Sequence, residues 1–262
     1  MKFCPIASGS SGNCVYIGAG ETHLLVDAGL SGKRIEAALK SINVQKLTGI
    51  LITHEHSDHI SGVGIMSRRF NLPVYATPNT WRYLLRHGTI GNVTEALRKT
   101  IVPGEAVMIG DIEVVSFDIP HDASQPVGYC LYGDGYKAVV ATDMGYVTDT
   151  ARAFLREANV ILLESNHDVE MLQNGRYPKA LKDRVMSSRG HLSNVAAGAL
   201  LAEIASDRCQ HIFLGHLSEE NNRPMIALDT VRNILEANGK PANRLSVADR
   251  HEPSVLIELI DI

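Results

Sequence analysis

The chain has no run approaching the roughly 20 apolar residues that a bilayer span requires, and its opening MKFCPIASGSSGN contains no apolar stretch of signal-peptide length. A cytoplasmic protein with no membrane partner is the expectation. Cysteine is sparse: Cys4, Cys14, Cys130 and Cys209 are scattered and form no CxxC pair, so four reduced thiols are expected. There is no excess of positive charge either. The formal net charge is −4, so no global field draws nucleic acid, and any basic track must be local. Linkers, repeats and low-complexity tracts are absent. What remains is ordinary globular composition, 45% hydrophobic and 21% charged. The 262 residues are enough to bury a substantial core, and residues 1–262 read as one domain.

The informative pattern is where the apolar runs stop. Short strands are expected over 3–7 and 15–17, around the turn-rich SGSSGN. Six further runs each end on a metal-ligand type of side chain. His23 to Val26 stops at Asp27, Ile50 to Thr53 at His54, and Val114 to Ile119 at Pro120-His121. Ala138 to Thr142 stops at Asp143, Val160 to Leu163 at Glu164, and Ile212 to Gly215 at His216. Helices are expected from near Ser31, from about Ile60 to Phe70, from near Ser193, and from near Pro224. Polar residues end strands in any protein, but that alone predicts a mixture of Asn, Ser, Lys and Gly. In layered α/β proteins, ligands gather at the carboxyl ends of strands, and buried charges need a partner or a metal. Six such tips therefore predict one convergent site.

The densest stretch is His54-Glu-His56-Ser-Asp58-His59. Besides Glu55, it offers four ligand-capable side chains within six residues. Imidazole suits Zn, Fe, Ni and Cu, and carboxylate extends the range to Mn. An HxHxDH element after an apolar strand resembles the signature of the metallo-β-lactamase superfamily. The remaining motifs follow in order, with Asp27 in LLVDAG, His121, Asp143 in ATDMG and His216 in FLGHLS. The resemblance implies an α/β fold, a four-layer αβ/βα sandwich. It also implies two divalent metal ions, zinc or manganese, with a hydroxide between them. His54, His56 and His121 would hold one ion, Asp58, His59 and His216 the other, and Asp143 would bridge. Asp27 would support a ligand imidazole from behind.

A narrower likeness lies in ASGSSGN, VDAGLSGKRIE, ITHEHSDHISGV, ESNHDVEML, RGHLSN and LGHLSEENN, which resemble the YycJ/VicX-like members of the superfamily. It implies a phosphodiesterase acting on DNA as a 5′-to-3′ exonuclease. A glyoxalase-like thioesterase, a cyclic-phosphate phosphodiesterase and a non-catalytic regulatory protein are the rivals. Asp58 and His191 are the candidate catalytic residues, His191 as proton donor to the leaving oxygen. Glu164 is expected to support a ligand histidine, and His167 to line the pocket or support the site. Ser10 and Asn13 belong to a turn, Ser8 to Asn13, that would either cradle a phosphate with its backbone NH groups or simply close a hairpin. Arg176, Lys179, Lys182, Arg184 and Arg189 make a basic run that is either a solvated helix face or a backbone track, with Tyr177 placed to stack a base. His23, His87, His211 and His251 fall outside the motifs. His211 has the opposite strand parity to His216 and is expected to face away from the site.

Overall fold

The computed structural model describes residues 1–261. Its first sheet takes β1 (Lys2–Ala7), β2 (Cys14–Ala19), β3 (Thr22–Val26), β4 (Gly49–Leu51), β5 (Val74–Ala76) and β6 (Arg98–Thr100). Its second takes β7 (Ala106–Ile109), β8 (Ile112–Asp118), β9 (Val127–Gly133), β10 (Tyr136–Ala141), β11 (Val160–Glu164), β12 (His211–Gly215) and β13 (Leu245–Val247), and β14 (Ile257–Glu258) returns to pair with β1. β1 to β3 run antiparallel and β3 to β6 parallel. In the second sheet β7 to β10 run antiparallel and β10 to β13 parallel.

Strand periodicity explains the layers. Side chains of one parity on both sheets, among them Phe3, Val15, Ile17, Leu24, Val114, Leu131, Val140, Leu162 and Phe213, form a core between the sheets. Phe3 stacks on Phe213 across it, with ring centroids 5.9 Å apart. The opposite parity of the first sheet, including Ile6, Tyr16, Leu25 and Ile50, packs under α1 (Gly32–Ser41), α3 (Val63–Phe70) and α4 (Pro78–His87). The opposite parity of the second sheet packs under α5 (Asp149–Leu155), α8 (Asn194–Ile204) and α9 (Pro224–Ala237). Three cores between four layers make the αβ/βα sandwich. Because both faces of each sheet are covered, the strands read as continuous apolar runs rather than alternating ones.

Three local expectations are corrected. The strand expected over Ile50–Thr53 is β4 only to Leu51, with Ile52 N still donating to Tyr75 O and Thr53 leaving the ladder to bond Asp27. The single helix expected from Ile60 to Phe70 is two, α2 (Ser57–Ile60) and α3, because the Gly62 NH donates to Ala28 O instead of continuing α2. Ser31 stands at the N-cap of α1 without a side-chain capping bond, whereas Ser193 caps α8 by accepting from Ala196 N. His211 does turn from the site, meeting Ser246 Oγ at 2.8 Å. Short α6 (Val169–Asn174) and α7 (Lys179–Val185) complete the chain. Among the described residues, no helix is long and apolar enough to cross a membrane.

All four cysteines are buried and free. Burial pushes the thiol of Cys4 up to about 12 and those of Cys130 and Cys209 up to about 11, and raises Cys14 further. Only roughly one thiol in a thousand is then thiolate at pH 8, and thiolate is the reacting form. A thiol reagent at that pH should modify none of the four in the folded protein and all four after denaturation. Rapid modification of even one under native conditions would contradict this burial.

Candidate metal centre

The site is assembled where the parallel strands end. Asp27, Asp143 and His216 follow β3, β10 and β12, and all three sit in the left-handed region with φ of 59°, 60° and 53°. Such backbone costs on the order of 1–3 kcal/mol per residue and persists where surrounding bonds over-determine it. At His216 those bonds are visible: its NH donates to Ser8 Oγ at 2.8 Å, and its carbonyl accepts from Asn166 Nδ2 at 2.8 Å. Three segments are also stitched backbone to backbone. Asn13 N donates to Asp58 O, Gly29 N to Asn13 O, and Ala28 N to His59 O. Gly29 is required because a Cβ there would overlap the Asp58 carbonyl.

Two ligand clusters result. In the first, His54 Nε2 lies 3.0 Å from His56 Nδ1, which lies 3.3 Å from His121 Nε2. The far nitrogens fix the tautomers. His54 Nδ1 faces Thr53 Oγ1 at 3.0 Å, and that hydroxyl already donates to Asp27 Oδ2. His121 Nδ1 donates to Gly190 O. The inward nitrogens of His54 and His121 are therefore bare, and one proton on His56 can serve only one of them. Burial lowers both imidazoles, His54 well below the ordinary histidine value with help from its histidine neighbours, so both are neutral. Two ligands about 2.0–2.1 Å from a tetrahedral ion stand about 3.3 Å apart, which is the spacing seen here.

The second cluster is Asp58, His59 and His216, with both Nε2 atoms at 3.5–3.6 Å from Asp58 Oδ2. His59 Nδ1 donates to Asp27 Oδ2 at 2.7 Å, which aims Nε2 inward. Asp143 stands between the clusters, its Oδ2 at 3.5 Å from His59 Nε2 and its Oδ1 at 3.9 Å from His121 Nε2. Asp143 Oδ2 and His216 Nε2 are buried and lack any hydrogen-bond partner among the described residues. An orphaned buried polar atom costs about 1–3 kcal/mol, and a cation between these atoms removes that cost. The donor set fits divalent metal.

Glu164, fully buried at the end of β11, ties the centre to His191. Its Oε1 accepts from His191 Nδ1 at 2.7 Å and from His216 Nδ1 at 2.9 Å, while Oε2 accepts from Met144 N and Leu192 N. Asp143, Glu164, His191 and His216 are close enough to form a ligand group of their own. A cation there would have to displace both Nδ1 protons, so this group is better described as a hydrogen-bonded support. Burial works to lower the His191 imidazole, but the Glu164 carboxylate outweighs it and the net shift is upward. At His216 burial is likewise outweighed, by Asp143, Asp58 and Glu164, which push the metal-free imidazole up to about 10. His59 is also held well above its ordinary value, the carboxylates of Asp27, Asp143 and Asp58 overcoming burial. Below about pH 10 a proton must therefore leave His216 before Nε2 accepts a cation. Metal affinity should fall by up to about tenfold per unit of acidification for each proton displaced. Calorimetric titration of metal into the metal-free protein at pH 7, in buffers of different ionisation enthalpy, should register proton release. A proton count near zero would contradict these charge states.

The seven ligand-type residues named from the sequence thus converge, with Asp27 hydrogen-bonded to His59 and Glu164 to His216. Asn13 is oriented without ambiguity: Gly9 N donates to its Oδ1, so Nδ2 faces Asp58 Oδ2 at 3.2 Å and His59 Nε2 at 3.1 Å. The phosphate-cradle alternative for residues 8–13 is not met by the backbone NH groups of Ser8, Gly9, Gly12 and Asn13. All four already donate within the protein. Ser10 is exposed beside a cavity that also receives Asn166 and His191. His167 is buried outside the cavity lining, and its Nδ1 has no partner among the described residues. The basic run is partly engaged: Lys182 donates to Gln173 O and Arg184 to Asp122. Sequence reasoning missed Thr53, Asn166 and Glu55. Glu55 accepts from Ser124 N and Oγ and so pins the loop carrying His121 to the HxHxDH segment. Its place inside that motif was the available signal.

With this geometry in view, comparisons are informative. Residues 22–213 match the Beta-lactamase superfamily domain. The zinc-bound PqqB of Methylobacterium extorquens superposes with a TM-score of 0.75 at 17% identity, covering 99% of this chain and 100% of that one. At that identity the likeness shows the fold alone. In sequence the chain is 44% identical to the exodeoxyribonuclease YycJ of Bacillus anthracis over 241 residues, 91% of this chain and 90% of that protein. It is 42% identical to the exodeoxyribonuclease WalJ of Streptococcus pneumoniae over 237 residues, 90% of this chain and 88% of that one. The chain therefore belongs to the metallo-β-lactamase superfamily and, within it, to the family of those YycJ and WalJ proteins.

Proposed function

We propose that this chain is a metal-dependent phosphodiesterase that shortens DNA from the 5′ end. The observation that carries the reading is a buried pair of ligand clusters joined by Asp143, with His191 held on Glu164 at their edge. The names of the two relatives support DNA as substrate. His54, His56 and His121 would hold one divalent ion, Asp58, His59 and His216 a second, and Asp143 both; zinc or manganese suits such donors. Bound there, the ions would supply Lewis-acid charge and acidify a water molecule.

The chain's own side chains do the rest. Asp58 is the most exposed carboxylate of the cluster, 22% accessible, and orients the attacking water by accepting its hydrogen bond. The Glu164 carboxylate favours the protonated His191 ring. Nδ1–H is fixed on Glu164, so Nε2–H is the one offered to the leaving oxygen. Residues 1–262 act as one hydrolase domain in the cytoplasm, where four buried reduced thiols are at home.

The test is a DNA strand labelled at its 3′ end and incubated with enzyme and manganese or zinc. Progressive shortening from the unlabelled 5′ end is the expected result. Intact DNA beside rapid acyl-thioester cleavage would move the assignment to a thioesterase.

A further inference from the structure

Beside the metal centre lies a cavity of about 140 Å³ lined by Ser10, Asn166, Tyr177, Leu181, Arg184, Val185, His191 and Ser218. Its volume is several times the roughly 30 Å³ share of one water molecule. It is well below the roughly 300 Å³ at which pockets enclose a whole drug-sized ligand. One planar ring system fits; a base pair does not. The lining is divided by chemistry. Tyr177, Leu181 and Val185 give an aromatic and aliphatic wall, while Arg184, Ser10, Ser218 and Asn166 give hydrogen-bonding groups. No residue of the lining carries a carboxylate.

Arg184 is fixed for a role beyond its own ion pair. Its Nε donates to Asp122 Oδ2 at 2.6 Å, and its side chain remains 56% exposed. The terminal amino groups have no partner among the described residues. They form a preset fork at the cavity mouth, the geometry that suits a phosphate. The remaining feature is shared: His191 is both a wall of this cavity and a neighbour of Asp143, 3.7 Å from its Oδ1.

We infer that this cavity seats the unpaired base of the 5′-terminal nucleotide, with Arg184 on its 5′-phosphate and its 3′ oxygen beside His191. The inference rests on the phosphodiesterase function proposed above and names the group that leaves. A water oxygen bonds to phosphorus, and the bond from phosphorus to the 3′ oxygen breaks. That oxygen departs with its electron pair and takes the His191 proton. The water's proton passes by way of Asp58 to solvent. The shortened strand keeps the phosphate on its new 5′ end, and a nucleoside 5′-monophosphate is left in the cavity. Since only one ring system fits, the strand enters by its end and must be single-stranded there.

Two measurements on the full chain separate this inference from the function beneath it. The first is equilibrium binding of a deoxynucleoside 5′-monophosphate. The second is the ratio of shortening of ordinary DNA to shortening of the same strand with an abasic 5′-terminal nucleotide, which has no base to seat. Tyr177→Ala removes one base–aromatic stack and should lower mononucleotide affinity and that ratio on the order of tenfold. Leu181→Trp fills the cavity and should lower both at least as far, and retained shortening of the abasic strand reports that each variant is folded. Wild-type DNA shortening that both variants match would overturn the cavity while leaving the nuclease intact. Mononucleotide binding lost in both variants, in a protein that leaves DNA uncut, would uphold the cavity and overturn the nuclease. Failure of the wild type to bind any mononucleotide overturns the cavity outright.

Discussion

Asp143→Ala should release metal from both halves of the centre at once and reduce phosphodiester turnover by at least about a thousandfold. The magnitude follows from the several kcal/mol of charge stabilisation that bound cations give a transition state, at about 1.4 kcal/mol per tenfold in rate. The position follows from geometry. Asp143 is the side chain that meets His54 and His59 in one group and also reaches His121 and His216. His216→Ala should differ in kind, because His216 shares a ligand group with Asp58 and His59 and none with His54, His56 and His121. Elemental analysis of protein purified without chelator should approach two ions per wild-type chain, about one in His216→Ala and none in Asp143→Ala. Equal metal loss in the two variants would argue against Asp143 as the shared ligand.

His191→Ala should keep its metal and still lose about 100- to 10,000-fold in turnover, the usual worth of a positioned general acid. His191 Nδ1 is engaged by Glu164, and the site retains all seven ligand-type residues without it. A nitrophenyl diester needs little help in expelling its leaving group and should suffer far less than DNA. Glu164→Gln should mimic the loss on DNA in part and shift the alkaline limb of the pH–rate profile to lower pH. The amide still accepts one hydrogen bond but no longer raises the His191 imidazole. A His191→Ala protein that has lost metal would show that the ring is a ligand, and equal losses on both substrates would remove its role at the leaving oxygen.

Much of this site was legible along the chain because of how strands carry side chains. A strand buried on both faces must be apolar throughout, so a histidine or aspartate at its end stands out against what precedes it. Asp27, His54, His121, Asp143 and His216 were visible for that reason, and His56, Asp58 and His59 by their crowding after β4. Asn166, Thr53 and Glu55 were not. Their functions are hydrogen bonds to His216 O, to Asp27 and to Ser124, each made by a residue type common in any loop. The break at Gly62 escaped detection because the competing acceptor, Ala28 O, comes from 34 residues earlier.

The sequence by itself determined the residue types at the strand ends, the continuous apolar strands that require covering on both faces, and the reduced state expected of four isolated cysteines. Only the tertiary structure decided which nitrogen of each imidazole faces inward, since that depends on acceptors such as Gly190 O and Glu164 Oε1 far away in the chain. It alone decided that Asp143 stands between two clusters, and that Tyr177 and Arg184 share a cavity with His191. Periodicity is a local property, written in neighbouring residues. Protonation, coordination and cavity shape depend on which distant groups meet, and folding alone brings those groups together.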